Sequence, residues 1–129
     1  MRRAEPGGGA RRGLLDALAL VAADAATQRA WVERHRVGPD EIALLHDDHL
    51  HARLLDRLVA EGEVSARTLP VLRELDGVFA AMTAADDPAR WSTGALADDP
   101  GWARARTLAR RALAMEDRAS DSPGDRATG

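Results

Sequence analysis

The chain has 129 residues, a formal charge of -3 and no cysteine, and its 18 basic residues are all arginine. That length fits one domain that can bury most of its apolar surface unaided, while the lack of cysteine excludes a disulfide framework, a thiolate zinc site and a thiol nucleophile. Net acidity and an aromatic content of 3% speak against a nucleic-acid binder, which would present a basic face interleaved with stacking rings.

Residues 1–11 combine Pro6, three glycines and arginines, a composition that cannot offset the entropy of ordering, so a disordered tail is expected there. A first helix is expected from about Arg12 to Arg36. Its stripe is Leu14, Leu18, Val21, Ala25 and Val32, with a bend near Ala25–Thr27 and a stop at Gly38-Pro39. Within it the apolar run Ala17–Ala23 falls far short of the roughly 20 residues that span a bilayer. It also follows Gly7–Gly9 without a cleavage region, so neither a membrane span nor a signal peptide is expected.

A second helix follows from Asp40 to about Glu61, with Gly62 as its C-terminal stop. It carries two apolar stripes, Ile42, Leu45, Ala52, Leu55 and Val59 on one side and Leu44, Leu50, Leu54 and Leu58 on another. Two neighbours should therefore pack against it. Ser65 or Thr68 can cap a third helix with Leu72, Leu75, Phe79 and Met82 as its seam, ending near Asp86-Asp87-Pro88. A helical turn at Ala95-Leu96 precedes the last helix, 100–118, which Asp99-Pro100 opens as N-cap and first residue. That helix turns Trp102, Ala105, Ala109, Ala112 and Leu113 inward, and residues 119–129 form a second disordered tail. With no sustained alternation and few β-branched residues, the expectation is all-α: one domain over 12–118, a compact bundle of four main helices plus a short helical turn.

Chemistry-bearing side chains concentrate at His46-Asp47-Asp48-His49-Leu50-His51. On a continuous helix His46 and His49 are neighbours, whereas His51 points roughly 140° away and pairs with Asp47 instead. The one arrangement able to form a metal site is His35 with His46 and His49, although Arg53 and Arg57 continue that face and place positive charge where a cation would sit. The competing reading makes the same residues partly exposed polar groups between two leucine stripes. No His-Glu-x-x-His spacing is present, and no serine has the flanking glycines of a nucleophile elbow, so no enzymatic activity and no cofactor are expected.

Trp91 and Trp102 flank the turn Asp98-Asp99-Pro100, either as core anchors or, for one of them, as an interface anchor. Charge is lopsided. Seven acids face two arginines between Val37 and Glu63, and five arginines face two acids between Trp102 and Arg118. Lys, Asn and Tyr are missing too, residues mostly with AT-rich codons, so the arginine content reflects a GC-rich genome before any function. The acidic second helix suits a basic protein partner, with Asp47, Asp48 and Asp56 as the candidate contacts. Lack of cysteine also fits a reducing cytosol, the expected location.

Four short segments add a resemblance: Gln28-Arg29-Ala30-Trp31, Asp40-Glu41-Ile42-Ala43-Leu44, Trp91-Ser92-Thr93-Gly94-Ala95-Leu96, and Trp102 with Arg106-Thr107-Leu108-Ala109-Arg110. In this order they resemble uncharacterised small helical proteins of high-GC bacteria and the helical immunity proteins encoded beside secreted toxins. The resemblance spans most of residues 14–115 and implies a non-enzymatic, partner-binding role, immunity- or antitoxin-like. Two other classes stay open: a metal-binding module using the three histidines, and a helical nucleic-acid binder using the last helix.

Overall fold

The computed structural model describes residues 6–50 and 52–121, and it is all-helical, with no strand among the described residues. The helices are α1 (Pro6–Ala22), α2 (Ala25–His35), α3 (Asp40–Leu50), α4 (Ala52–Ala60), α5 (Leu69–Ala84), α6 (Ala95–Asp98) and α7 (Pro100–Asp121). A 3₁₀ turn, Pro88–Trp91, precedes α6. α7 packs against α1 and α5, α1 also packs against α3, and α3 meets α5. The expectation of four main helices is corrected in its count. The expected second helix corresponds to α3 and α4, which lie on either side of position 51, outside the described residues. Helix also extends past both expected tail boundaries, starting at Pro6 rather than about 12 and running to Asp121 rather than 118.

The expected first helix is two. Asp24 leaves the helical conformation (φ -68, ψ 165), and its carboxylate accepts from the Thr27 amide at 2.8 Å, starting α2 afresh. Side chains take over the carbonyls that the break strands at the end of α1. Gln28 donates Nε2 to Leu20 O (3.1 Å) and Val21 O (2.9 Å), Arg110 Nε donates to Ala22 O (2.8 Å), and Arg106 Nε donates to Ala23 O (3.0 Å). Arg106 Nη2 continues to Gln28 Oε1 and Leu96 O, joining α7 to α2 and α6. Gln28 is wholly buried, which is tolerable because its amide is used at both ends.

Elsewhere the boundary signals act much as their chemistry dictates. Gly62 adopts φ +75 at the end of α4, and Asp99 accepts from Gly101 N (2.6 Å) at the start of α7. Thr68 departs from expectation. It occupies the N-cap position of α5 with helical backbone angles (φ -78, ψ -22) and makes no capping bond, while its hydroxyl donates to Glu116 Oε2. Buried Glu116 also accepts from Ser65 N and from Arg11, fastening α7 to α1 and to the segment before α5. The core unites Leu14, Leu18 and Val21 of α1 with Leu72, Leu75 and Met82 of α5 and Trp102 and Leu108 of α7; fully buried Ala105, Ala109 and Ala112 let α7 lie close to its neighbours.

Replacing Gln28 by Leu leaves the Val21 carbonyl without its side-chain donor, leaves the Leu20 carbonyl only the Ala23 amide at 3.3 Å, and removes one acceptor of Arg106. Urea unfolding should show a loss of about 2 kcal/mol; an unchanged midpoint would mean that the α1–α2 break does not depend on this amide.

Candidate functional site

Two helical stripes of the same spacing face one another across the α3–α5 contact. On α3 the stripe is Asp40, Ala43, Leu44 and Asp47, and on α5 it is Asp76, Phe79, Ala80 and Thr83, each at i, i+3, i+4, i+7. Between them lies a groove of about 780 Å³, closed at one end by Asp86, Asp87, Pro88 and Trp91. Its volume falls in the range of ligand-binding clefts.

The floor is aromatic. Phe79 meets His46 (ring centroids 5.1 Å) and the edge of Trp102 (5.4 Å), and Trp102 in turn meets Trp91 edge-on (5.9 Å). Trp102 is fully buried and donates Nε1 to Arg90 O at 2.9 Å, whereas Trp91 is only partly buried and lines the groove. Trp102 is therefore a core anchor, and Trp91 packs against the same core while also lining the groove. Arg90 is clamped to Asp99 through two hydrogen bonds (2.9 and 3.0 Å), which hold the Asp99 carboxyl below its ordinary range and fix the 3₁₀ turn to the start of α7.

The rim is acidic. Asp40, Asp47, Asp76, Asp86 and Asp87 line the groove, no arginine does, and none of the five is ion-paired to an arginine among the described residues. Burial, aided by the Asp47 charge, holds the Asp76 carboxyl above the usual range. Leu44, from the second leucine stripe, is 52% exposed here; the expected neighbour covers Leu58 but not Leu44. His46 is 1% exposed, and neither ring nitrogen has a hydrogen-bond partner among the described residues. Its Nε2 stands 3.8 Å from Asp76 Oδ1, beyond hydrogen-bond reach. Burial, reinforced by His49, pushes its pKa from 6.5 down to about 4, so the ring is neutral at pH 7.

The residues expected from the sequence are placed unevenly. Asp47 is in the groove, Asp48 is exposed and does not line it, and Asp56 pairs with Arg73 at 3.0 Å. The metal trio is not assembled. His35 is exposed on α2, stacked on Trp31 (4.3 Å) and donating Nδ1 to Trp31 O, and His49 packs where α3 approaches Gly13 of α1. Among the described residues no group of three His, Cys, Asp or Glu side chains could hold a metal, and His51 lies outside them. Asp76, Asp86 and Asp87 escaped sequence reasoning as site residues, the first as one charge on a core helix and the others as turn formers. The usable signal was the repeated i, i+3, i+4, i+7 spacing with an aspartate at the head of each stripe.

Comparison with known proteins returned no matching family model, no matching curated relative and no matching solved structure. Among the described residues no helix is long and apolar enough to cross a membrane.

His46 makes folding pH-dependent. The unfolded imidazole takes up a proton below about pH 6.5 and the folded one only below about 4, so stability falls as pH drops through that window. Between roughly pH 7 and 4.5 the wild type should lose on the order of 2 kcal/mol from this residue, and His46→Leu should lose correspondingly less. Asp76, with its raised pKa, acts with the opposite sign and is common to both proteins. Equal pH slopes in urea titrations of the two would remove His46 as the cause.

Proposed function

We propose that this protein is a small non-enzymatic interaction module whose α3–α5 groove receives a basic, amphipathic segment of a protein partner, in an immunity- or antitoxin-like role. The observation that carries the reading is the coincidence of an exposed apolar patch at Leu44 with five aspartates lacking arginine partners among the described residues. An apolar side chain of the partner would cover Leu44 and Trp91 while flanking cations meet the rim, and the rim would raise the association rate of a basic partner. The arginines of α7 give little support to the nucleic-acid alternative. Arg106 and Arg110 are spent on the α1–α2 carbonyls and Arg104 on Glu74. Dispersal of the histidines likewise favours protein binding over metal binding. The cytosol is the proposed setting.

Charge reversal tests the placement. Binding of a labelled arginine- and leucine-rich helical peptide, followed by fluorescence anisotropy, should weaken about tenfold in Asp47→Lys and in Asp86→Lys, with slower association. Asp48→Lys and Asp56→Lys, outside the groove, should change affinity less than about threefold. Wild-type affinity in the first two variants would move the interface elsewhere.

A further inference from the structure

The α3 wall of the groove, Asp40, Ala43, Leu44 and Asp47, has a counterpart of opposite charge elsewhere in the chain. On α7 the residues at the same spacing are Arg111, Ala114, Met115 and Arg118. Each stripe runs i, i+3, i+4, i+7, with a charge at both ends and an alanine and a large apolar residue between them. Arg111, Ala114 and Arg118 are exposed, and Met115 is half-buried. We propose that the α3–α5 groove receives this α7 face from a second copy of the chain, so that the protein self-associates through it. The inference rests on the reading of the groove as the seat of a basic amphipathic segment and names one such segment.

Three observations select that occupant. The first is charge. Asp40 and Asp47 are separated by about 10 Å along their helix axis, and Arg111 and Arg118 repeat that interval, so both ends can pair whichever way the two helices run. The groove aspartates have no arginine partner among the described residues, and neither Arg111 nor Arg118 makes an ion pair among them. The second is register. Arg29 with Arg36 and Arg104 with Arg111 have the same interval, but Glu33 holds Arg29, Glu74 holds Arg104, and the intervening Val32 and Leu108 are buried. The third is the backbone. Both walls of the groove are helices, whose peptide groups are bonded within themselves, so an extended segment would leave its own amides and carbonyls unmatched. α7 brings a backbone that is already bonded. Ala43 and Ala80 on the groove side and Ala114 on the other let two helices approach closely, and Met115 would cover Leu44. Each copy carries both the groove and the α7 face. Two copies can therefore exchange both contacts about a two-fold axis, or successive copies can run head to tail. In either arrangement the second copy takes the place of a basic partner, and the two compete.

Charge exchange on the full chain tests the contact. In sedimentation velocity at about 50 mM salt the wild-type mass should rise above the monomer between about 5 and 200 μM, and fall back to it at about 0.5 M salt. Asp40→Arg/Asp47→Arg and Arg111→Asp/Arg118→Asp should each weaken association at least about tenfold, since each sets like charges against one another. Mixed one to one, the two variants should associate again, because each groove then meets a face of opposite charge. Arg34→Asp/Arg67→Asp makes the same change of net charge at exposed positions outside both faces and should associate as the wild type does. All four substituted residues of the contact are exposed, and the α7 variant alone keeps the test alive if the groove variant fails to fold. The second copy is overturned as occupant by a wild type that stays monomeric across that range, by mixed variants that stay monomeric, or by an equal loss in Arg34→Asp/Arg67→Asp and Arg111→Asp/Arg118→Asp. In that event an arginine- and leucine-rich helical peptide that still binds the wild-type groove leaves the basic-segment reading standing, and its failure to bind at about 50 mM salt removes both.

Discussion

Trp102 is the residue on which the geometry of both the core and the groove depends. It is fully buried at the start of α7, packs edge-on against Phe79 and Trp91, and donates to the Arg90 carbonyl. Those neighbours are the floor and the end wall of the groove, so one side chain sets the position of the 3₁₀ turn relative to α5. The Arg90–Asp99 clamp adds a second constraint on the same turn, and Asp99 caps α7 as well. Bidentate pairs of this kind hold orientation as well as distance, which four residues of 3₁₀ helix cannot do for themselves.

A different set of polar contacts fixes the junction between α1 and α2. Splitting one long helix into α1 and α2 strands several carbonyls in a partly buried place, a costly arrangement unless each finds a donor. Gln28 of α2 and Arg106 and Arg110 of α7 supply those donors, so the break becomes a junction. Arginine suits the position. Its fork reaches three acceptors at once and stays charged even where burial lowers its pKa, as desolvation does for Arg106. Glu116 plays the corresponding acidic part by collecting Arg11, Ser65 and Thr68.

Much of the helical architecture was legible because it rests on local chemistry. Gly62 and Asp99-Pro100 end and begin helices through their own backbone and side-chain preferences, and the Leu72, Leu75, Phe79, Met82 seam is buried as its spacing implies. The Asp24 break reads in the sequence only as a bend because a capping aspartate competes with an uninterrupted apolar stripe, and the donors that support the break, Arg106 and Arg110, lie about 80 residues away. Thr68 holds the N-cap position without a capping bond because its own backbone is already helical, and the partner of its hydroxyl, Glu116, lies 48 positions on. The groove needed one long-range fact, that the Asp40 stripe of α3 faces the Asp76 stripe of α5. Each stripe alone reads as an ordinary helix surface.

Two residues in one turn of α3 run against what folding alone favours. Leu44 faces outward, forgoing roughly 1 kcal/mol of burial, and His46 faces inward with both nitrogens unpaired among the described residues, at a cost of about 1 to 3 kcal/mol. Exchanging the two characters would stabilise an isolated domain. Both departures border the same groove, so the stability forgone in this turn of α3 is concentrated where five aspartates line the surface without arginine partners among the described residues.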